Sequence, residues 1–280
     1  LNKQKLNPKG IGNDFILING DCIEIMKELE ENSFDMIFAD PPYFLSNDGI
    51  VCKSGKMASV NKGEWDRSKG FDENLSFIER WLSGCYRVLK DSGTIWISGT
   101  LHIIYEIGFL LEKLGFKILN DIVWFKPNAS PNLACKYFVH SHETLLWAKK
   151  ANDVHEYYNY NLMKHWDDPN DKIKNRGKQM RDVWWMPTIS PKEKKYGEHP
   201  TQKPLNLLIR IIASCTKKHG NILDPFNGAG TTGIAARLLS RKYTGIELNK
   251  DYLDLTERRL AHKNELEFYY PKMINSPTLF

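Results

Sequence analysis

Phe34-Asp35-Met36-Ile37-Phe38-Ala39, five of whose six residues are apolar, runs directly into Asp40-Pro41-Pro42-Tyr43. Near-continuous apolar runs of this length belong to parallel strands covered on both faces. Two consecutive prolines end such a strand and stiffen the turn after it. In an open α/β sheet, the crevice outside the strand carboxyl ends is where ligands bind. The turn therefore presents a carboxylate (Asp40), a peptide carbonyl (Pro41, followed by the non-donating Pro42) and an aromatic ring (Tyr43). Two acceptors beside a ring suit a flat heterocycle carrying an exocyclic amine. An ordinary Pro-Pro turn with a solvated Asp and a packed Tyr accounts for the same four residues.

A second strand-loop-helix junction lies near the other end, at Asp224-Pro225-Phe226-Asn227-Gly228-Ala229-Gly230-Thr231-Thr232-Gly233. Its glycines at 228, 230 and 233 satisfy G-x-G-x-x-G, and Glu247 closes the following strand, where an acid would hold ribose hydroxyls. Both features suit any adenosine cofactor, NAD or S-adenosylmethionine. Asp224 tilts the choice toward the second, since a carboxylate can accept from an ammonium group, which a pyrophosphate lacks. Thr231, Thr232 and the helix amino terminus can face a carboxylate. The upstream run His199-Pro200-Thr201-Gln202-Lys203-Pro204 offers a hydroxyl and a cation to the same group; a Pro-bounded helix start with a surface lysine is the plain alternative.

Between these junctions the periodicity predicts strands at 15–19, 94–98, 116–119, 122–125, 144–148, 221–225 and 243–248. Helices are expected from Ile23, through Phe77, Trp81, Cys85 and Leu89, over 102–114, from Pro204, over 232–239 and from Tyr252. Asp91-Ser92-Gly93 reads as a helix stop. Residues 46–72 read as a long polar loop, and Pro127 to Asn132 as a loop too rich in Pro and Asn for regular structure. Over 152–198 the periodicity fades. The chain thus divides into a catalytic half (1–151), an inserted basic segment (152–198) and a cofactor-binding half (199–280).

The net charge of +5 can be located within one stretch of that insertion. From Asp171 to Gly197 there are eight basic residues (Lys172, Lys174, Arg176, Lys178, Arg181, Lys192, Lys194, Lys195) and three acidic ones (Asp171, Asp182, Glu193), which is +5, so the remainder sums to zero. Interleaved with Trp184, Trp185 and Tyr196, these charges suit phosphate-backbone contact combined with base contact, although a lysine-rich solvated loop has the same composition. Lys172, Lys174, Arg176, Lys178, Arg181, Lys194 and Lys195 are the candidate DNA contacts. The five scattered cysteines form no C-x-x-C, and neither a zinc site nor a disulfide framework is indicated. With no apolar run near the roughly 18 residues of a membrane span and a polar start, the expected location is the cytoplasm, beside the nucleoid.

Asp40 to Tyr43, His199 to Pro204 and Asp224 to Thr232, with a basic segment between the first two, resemble the beta group of amino-directed DNA methyltransferases. The resemblance covers nearly the whole chain and extends to Phe44 to Asn47, Lys62 to Asp66, Pro127 to Asn132 and His142-Glu143-Thr144. Among adenine-N6 enzymes the chain looks closest to those modifying GATC; the GANTC enzymes carry an extra carboxyl-terminal domain for which a chain ending at Phe280 leaves no room. The resemblance implies a Rossmann-like α/β fold with circularly permuted motif order and a mostly parallel seven-stranded sheet, one strand antiparallel near an edge. It implies S-adenosylmethionine as cofactor and no metal. It also implies Asp40, Pro41, Pro42 and Tyr43 as the catalytic turn, with Tyr43 stacking on a flipped-out base and Phe44 adding to that wall.

For the cofactor, the resemblance implies Glu247 on the ribose, Asp224 and Lys203 near the methionine moiety, and Asp21-Cys22 near the adenine ring. Asp40, Thr201, Phe226, Asn227, Gly228, Gly230, Thr231 and Thr232 complete the cofactor set. Asp21 also reads as a helix N-cap. DNA is the implied partner, and the resemblance leaves room for a homodimer and for a cognate restriction endonuclease. No Pro-Cys nucleophile for cytosine C5 chemistry is present. Cytosine-N4 enzymes resemble the same pattern with Ser in place of Asp40, so adenine-N6 is expected and cytosine-N4 stays open. A catalytically silent nucleic-acid-binding relative and an NAD-dependent oxidoreductase are the readings from other classes.

Overall fold

The computed structural model describes residues 9–10, 14–46, 50–53, 56–59, 61–132, 135–168 and 170–262. Strand β3 (Phe34–Ala39) lies at the middle of the main sheet, and its alternation explains why both sides of it are apolar. Met36 and Phe38 enter one core while Ile37 and Ala39 enter the other, joined there by Phe34, which lies before the register irregularity with the next strand. On its two flanks run β6 (Leu89–Gly99) and β10 (Asn221–Asp224), both parallel to it. The remaining members are β1 (Lys9–Gly10), β2 (Phe15–Asn19), β7 (Phe116–Phe125), β8 (His142–Lys150), β9 (Val183–Trp185) and β11 (Lys242–Glu247), in the spatial order β1-β2-β11-β10-β3-β6-β8-β7-β9. Seven of these nine strands form the expected sheet, with β8 as its antiparallel member near one edge. Two short strands extend it: β1 antiparallel on β2, and β9 parallel on β7.

Helices cover both faces. On one lie α1 (Cys22–Glu28), α2 (Phe71–Val88) and α3 (Ile104–Lys113). Helix α2 buries Ile78, Trp81, Leu82, Cys85 and Val88 at helical spacing, each such side chain contributing about 1.5–3 kcal/mol. The other face carries α5 (Leu205–Cys215), α6 (Thr231–Leu238) and α7 (Lys250–Ala261), with the short α4 (Tyr160–Lys164) packed outside α5.

Four segments depart from expectation. Residues 46–72 hold an antiparallel pair, β4 (Ile50–Lys53) with β5 (Lys56–Ser59), and the 3-10 turn η1 (Glu64–Asp66). Asp91-Ser92-Gly93 does not end α2, which stops at Val88; it lies within β6, because Leu89 already pairs with Phe34 and the extra residues are taken up as a bulge before Met36 meets Thr94. The two strands expected over 116–125 are the single β7, with a bulge between Ile118 and Asn120.

The fourth is the basic segment, which is built into the fold. Leu162, Met163, Trp166, Trp184 and Met186 belong to the main core. Trp184, expected as a base contact, is buried against Trp96. Asp168 and Asp171 pair with Arg210 of α5 at 3.2 and 2.7 Å, all three side chains being buried. Arg210 also lies over the Trp184 ring at 5.0 Å. Further along, the Glu193 carboxylate in η2 (Pro191–Lys194) accepts the Leu205 N–H at the start of α5.

Replacing one member of a buried ion cluster leaves the others uncompensated. Arg210→Met is expected to lower unfolding stability by about 3–5 kcal/mol in denaturant titration. The triple variant Arg210→Met/Asp168→Asn/Asp171→Asn should recover most of that loss.

Candidate active site

Five carboxyl groups line one edge of the sheet, and the strand order puts them there. Asp21 follows β2, Glu247 ends β11, Asp224 ends β10 and Asp40 follows β3. The fifth, Glu143, stands at the start of β8; because β8 runs antiparallel to β6, its beginning lies at the edge where the parallel strands end, with Thr144 opposite Gly99.

A cavity of about 700 Å³ opens along this edge. Of the expected cofactor residues, Asp21, Cys22, Asp40, Thr201, Lys203, Asp224, Phe226, Asn227, Gly228, Thr231, Thr232 and Glu247 line it. Gly230 does not. It has a positive φ of 72°, and a Cβ there would collide with the Thr256 side chain, so it serves the turn into α6. The Asn227 amide is likewise committed inside the protein: Tyr243 Oη donates to it at 2.7 Å, and it donates to Thr256 Oγ1 at 2.8 Å. Asp21 is both cavity wall and helix cap, accepting the N–H groups of Ile23 and Glu24.

Glu247 shapes the glycine loop, its two oxygens accepting the N–H groups of Gly228 at 2.7 Å and Asn249 at 2.8 Å. Burial raises its carboxyl above the ordinary range. Asp224 is 3% exposed, and burial pushes its carboxyl up to about 7, with Asp40 and Glu247 adding to the effect. No cation pairs with it among the described residues. Burial also pushes the Cys22 thiol up, which keeps it unreactive.

Three aromatic side chains absent from the expected set roof the cavity. His199 stacks with Trp65 at 6.1 Å and meets Tyr252 edge-on at 4.2 Å. Burial, with Lys203, Arg259 and Lys62 nearby, lowers the His199 pKa to about 3, so its ring is neutral.

In the turn from Asp40 to Tyr43, Asp40 and Pro42 face the cavity whereas Pro41 and Tyr43 do not. Tyr43 is buried. Its hydroxyl donates to Asp40 Oδ1 at 2.8 Å and lies 3.0 Å from Ser98 Oγ and 3.3 Å from Glu143 Oε2. The Lys203 ammonium donates to Asp40 Oδ2 at 2.6 Å and stands 3.6 Å from Glu143 Oε2. Ammonium groups of Lys62 and Lys203 lie 5.6 and 5.4 Å from the centre of the Tyr43 ring.

Burial raises the Asp40 carboxyl, with Lys203 pulling the other way. Burial alone would raise Glu143 too, but Lys203 and Lys126 bring it down to about 2. The backbone of the turn hangs on Asp66, which is also outside the expected set. Its Oδ1 accepts the N–H groups of Tyr43 and Phe44, both at 2.9 Å, and its Oδ2 accepts the Ser46 hydroxyl at 2.8 Å. Phe44 is held at a positive φ of 57°.

The expected DNA contacts divide. Lys172, Arg176, Lys178, Arg181 and Lys195 are exposed. Lys174 is not a phosphate contact here: its ammonium turns inward to the carbonyls of Lys164, Asn175 and Lys178, closing the loop on itself. Lys194 pairs with Glu198 at 3.7 Å. On the loop leading into β8, Tyr137, Phe138 and Val139 are exposed, Phe138 at 96%.

The Asp40 turn and the glycine loop line a single cavity. Residues 34–258 match the model of the N6/N4 DNA methylase family. The chain belongs to that family. It is 47% identical over 268 residues to the type II methyltransferase M2.MboI of Moraxella bovis, covering 94% of this chain and 95% of that one. With M2.DpnII of Streptococcus pneumoniae the identity is 49% over 254 residues, covering 90% and 92%. The structure of M1.HpyAVI in complex with S-adenosylmethionine superposes with a TM-score of 0.63 at 26% identity, covering 88% of this chain and 98% of that one.

Asp66→Ala removes the acceptor of three buried donors at once. It is expected to lower stability by about 2–4 kcal/mol, read as a shift of the denaturation midpoint without a change in slope.

Proposed function

We propose that this DNA methylase transfers a methyl group from S-adenosylmethionine to the N6 amine of a flipped-out adenine within a short palindrome, GATC being the first candidate. The observation carrying this is the adjacency of Asp40 and Asp224, at the ends of paired parallel strands and on one cavity wall. When bound, S-adenosylmethionine supplies an electrophilic methyl on a sulfonium centre. Glu247 would accept from its ribose, Asp21 would border its adenine, and Asp224 would face its ammonium group. Asp224 fits that group because it is a buried carboxyl at the cavity wall, raised by burial and by its carboxylate neighbours, with no cation paired to it among the described residues. Thr201, Thr231 and Thr232 offer hydroxyls to its carboxylate end.

The amine of adenine is a poor nucleophile because its lone pair is delocalised into the ring. The Asp40 carboxylate and the Pro41 carbonyl, accepting its two hydrogens, would pyramidalise the nitrogen and aim the lone pair. Positioning and electrostatics then do most of the catalysis. A target base must leave the duplex to reach this turn; the Tyr43 ring, buried and off the cavity here, would stack on it only once the turn opens and the Lys62 ammonium leaves the ring. The exposed basic residues Lys172, Arg176, Lys178, Arg181 and Lys195, with the apolar tip Tyr137 to Val139, form the face we assign to the duplex, the tip acting as a wedge. The domain division at 151 and 198 stands on the same basis, as a functional division within one folded unit. Operation in the cytoplasm, alongside a cognate restriction endonuclease and as a homodimer or alone, completes the proposal.

Labelled S-adenosylmethionine and duplex DNA test the activity, and sequencing of the modified bases separates adenine-N6 from cytosine-N4. Cofactor bound with no label entering DNA would instead indicate a silent binding protein. Asp40→Ala should abolish transfer while cofactor affinity stays within a few-fold, since Lys203 keeps Glu143 as its partner; loss of cofactor binding would refute the assigned role.

Asp224 also predicts a pH dependence. Its folded pKa of about 7 lies above the ordinary 3.8, so its ionisation costs the folded state stability as pH climbs through that window. A bound ammonium group favours the ionised form. Cofactor affinity should therefore rise by up to about tenfold per pH unit below 7 and level off above it. Calorimetry between pH 5.5 and 8 should show this slope in the native protein and a flat, weaker profile in Asp224→Asn.

A further inference from the structure

Both oxygens of Asp40 are engaged, Oδ1 by the Tyr43 hydroxyl and Oδ2 by the Lys203 ammonium. Each oxygen keeps a second lone pair, but a carboxylate whose charge is already drawn on by an ammonium at 2.6 Å is a weak acceptor, and a strong bond to the target amine favours release of one of these donors. A buried ammonium or hydroxyl released without a new acceptor is costly. The two donors share a second acceptor already in place: Glu143 Oε2, 3.3 Å from Tyr43 Oη and 3.6 Å from Lys203 Nζ. The other oxygen of Glu143 is fixed by the Lys126 ammonium at 3.0 Å, and Ser98 Oγ lies 3.3 Å from Oε2. The carboxylate is buried, with one oxygen held by Lys126 and the other already 3.3 and 3.6 Å from the two donors that Asp40 would shed.

We infer that Glu143 is a positioning residue for the transfer, taking over the Lys203 ammonium, and with it the Tyr43 hydroxyl, when Asp40 turns to the amine. This role rests on the methyl-transfer reading above. No proton changes owner: Lys203 stays an ammonium, Tyr43 a phenol and both acids carboxylates, and only hydrogen bonds are exchanged. Lys203 needs to move by less than an ångström to close a normal ion pair with Glu143. The charge matters as much as the shape. Gln at this position could still accept a hydrogen bond, but as a neutral group it could not draw an ammonium away from a carboxylate.

The test is single-turnover transfer to a DNA that the native protein methylates, at saturating cofactor, in the native protein, Glu143→Gln and Glu143→Asp. The expected result is a loss of at least about thirtyfold in Glu143→Gln, cofactor and DNA affinities within threefold, and substantial rescue by Glu143→Asp. The paired variant Lys126→Met/Glu143→Gln leaves no buried ammonium without its partner and should show the same loss. In a Lys203→Met background the Glu143→Gln loss should shrink below about threefold, because the cation to be drawn off is gone. Native-like rates in Glu143→Gln, or an equal fold-loss with and without Lys203, would overturn the inference. A native protein that labels no DNA would instead overturn the parent reading.

Discussion

The pairing of β10 with β3 is the contact on which the site depends. It joins the last third of the chain to the first, Leu223 beside Ile37 in parallel register, and sets the glycine loop next to the Asp40 turn. Neither strand could form this edge alone. Each is buried on both faces and needs parallel neighbours to satisfy its backbone. Once these two are paired, β11 and β2 follow on one side and β6 and β8 on the other. The permuted order of the motifs therefore has no consequence for the assembled edge: what counts is which strand ends are neighbours.

That edge collects negative charge at a density that would be unfavourable without compensation. The protein treats its two ends differently. Toward β8 the compensation is internal, with Lys203 between Asp40 and Glu143 and Lys126 on the other oxygen of Glu143. Toward β10 and β11 it is left to backbone N–H groups, and Asp224 and Glu247 remain raised by burial. One end is thus electrostatically closed, and at the other no cation is paired with Asp224 among the described residues. A preorganised field of this kind carries its cost in folding stability and releases it on binding.

Much of this was legible in the sequence, and what was not has physical reasons. Apolar runs that end in Asp40 and Asp224, the glycines at 228 and 230 and the acid at 247 are local signals, and all lie at the expected strand ends. Asp21 was read both as a cap and as a wall, and it is both. Glu143 and Asp66 fall within stretches that the resemblance covers without implying a role for either: one reaches the edge only because β8 runs backwards, and the other acts across the polar stretch over 46–72. Composition also misplaced Trp184 and Lys174, since a tryptophan among lysines looks the same whether it faces DNA or a buried arginine. Only tertiary contact distinguishes the two.

Arg210, with Asp168 and Asp171, pins one end of the basic stretch, and β9 pins the other. Residues 172–182 therefore span a fixed gap between two buried anchors while contributing little to the core themselves. A surface segment clamped in this way is free to diverge. Its side chains can be exchanged, or the whole stretch replaced by another of equal span, without disturbing the strand edge beneath.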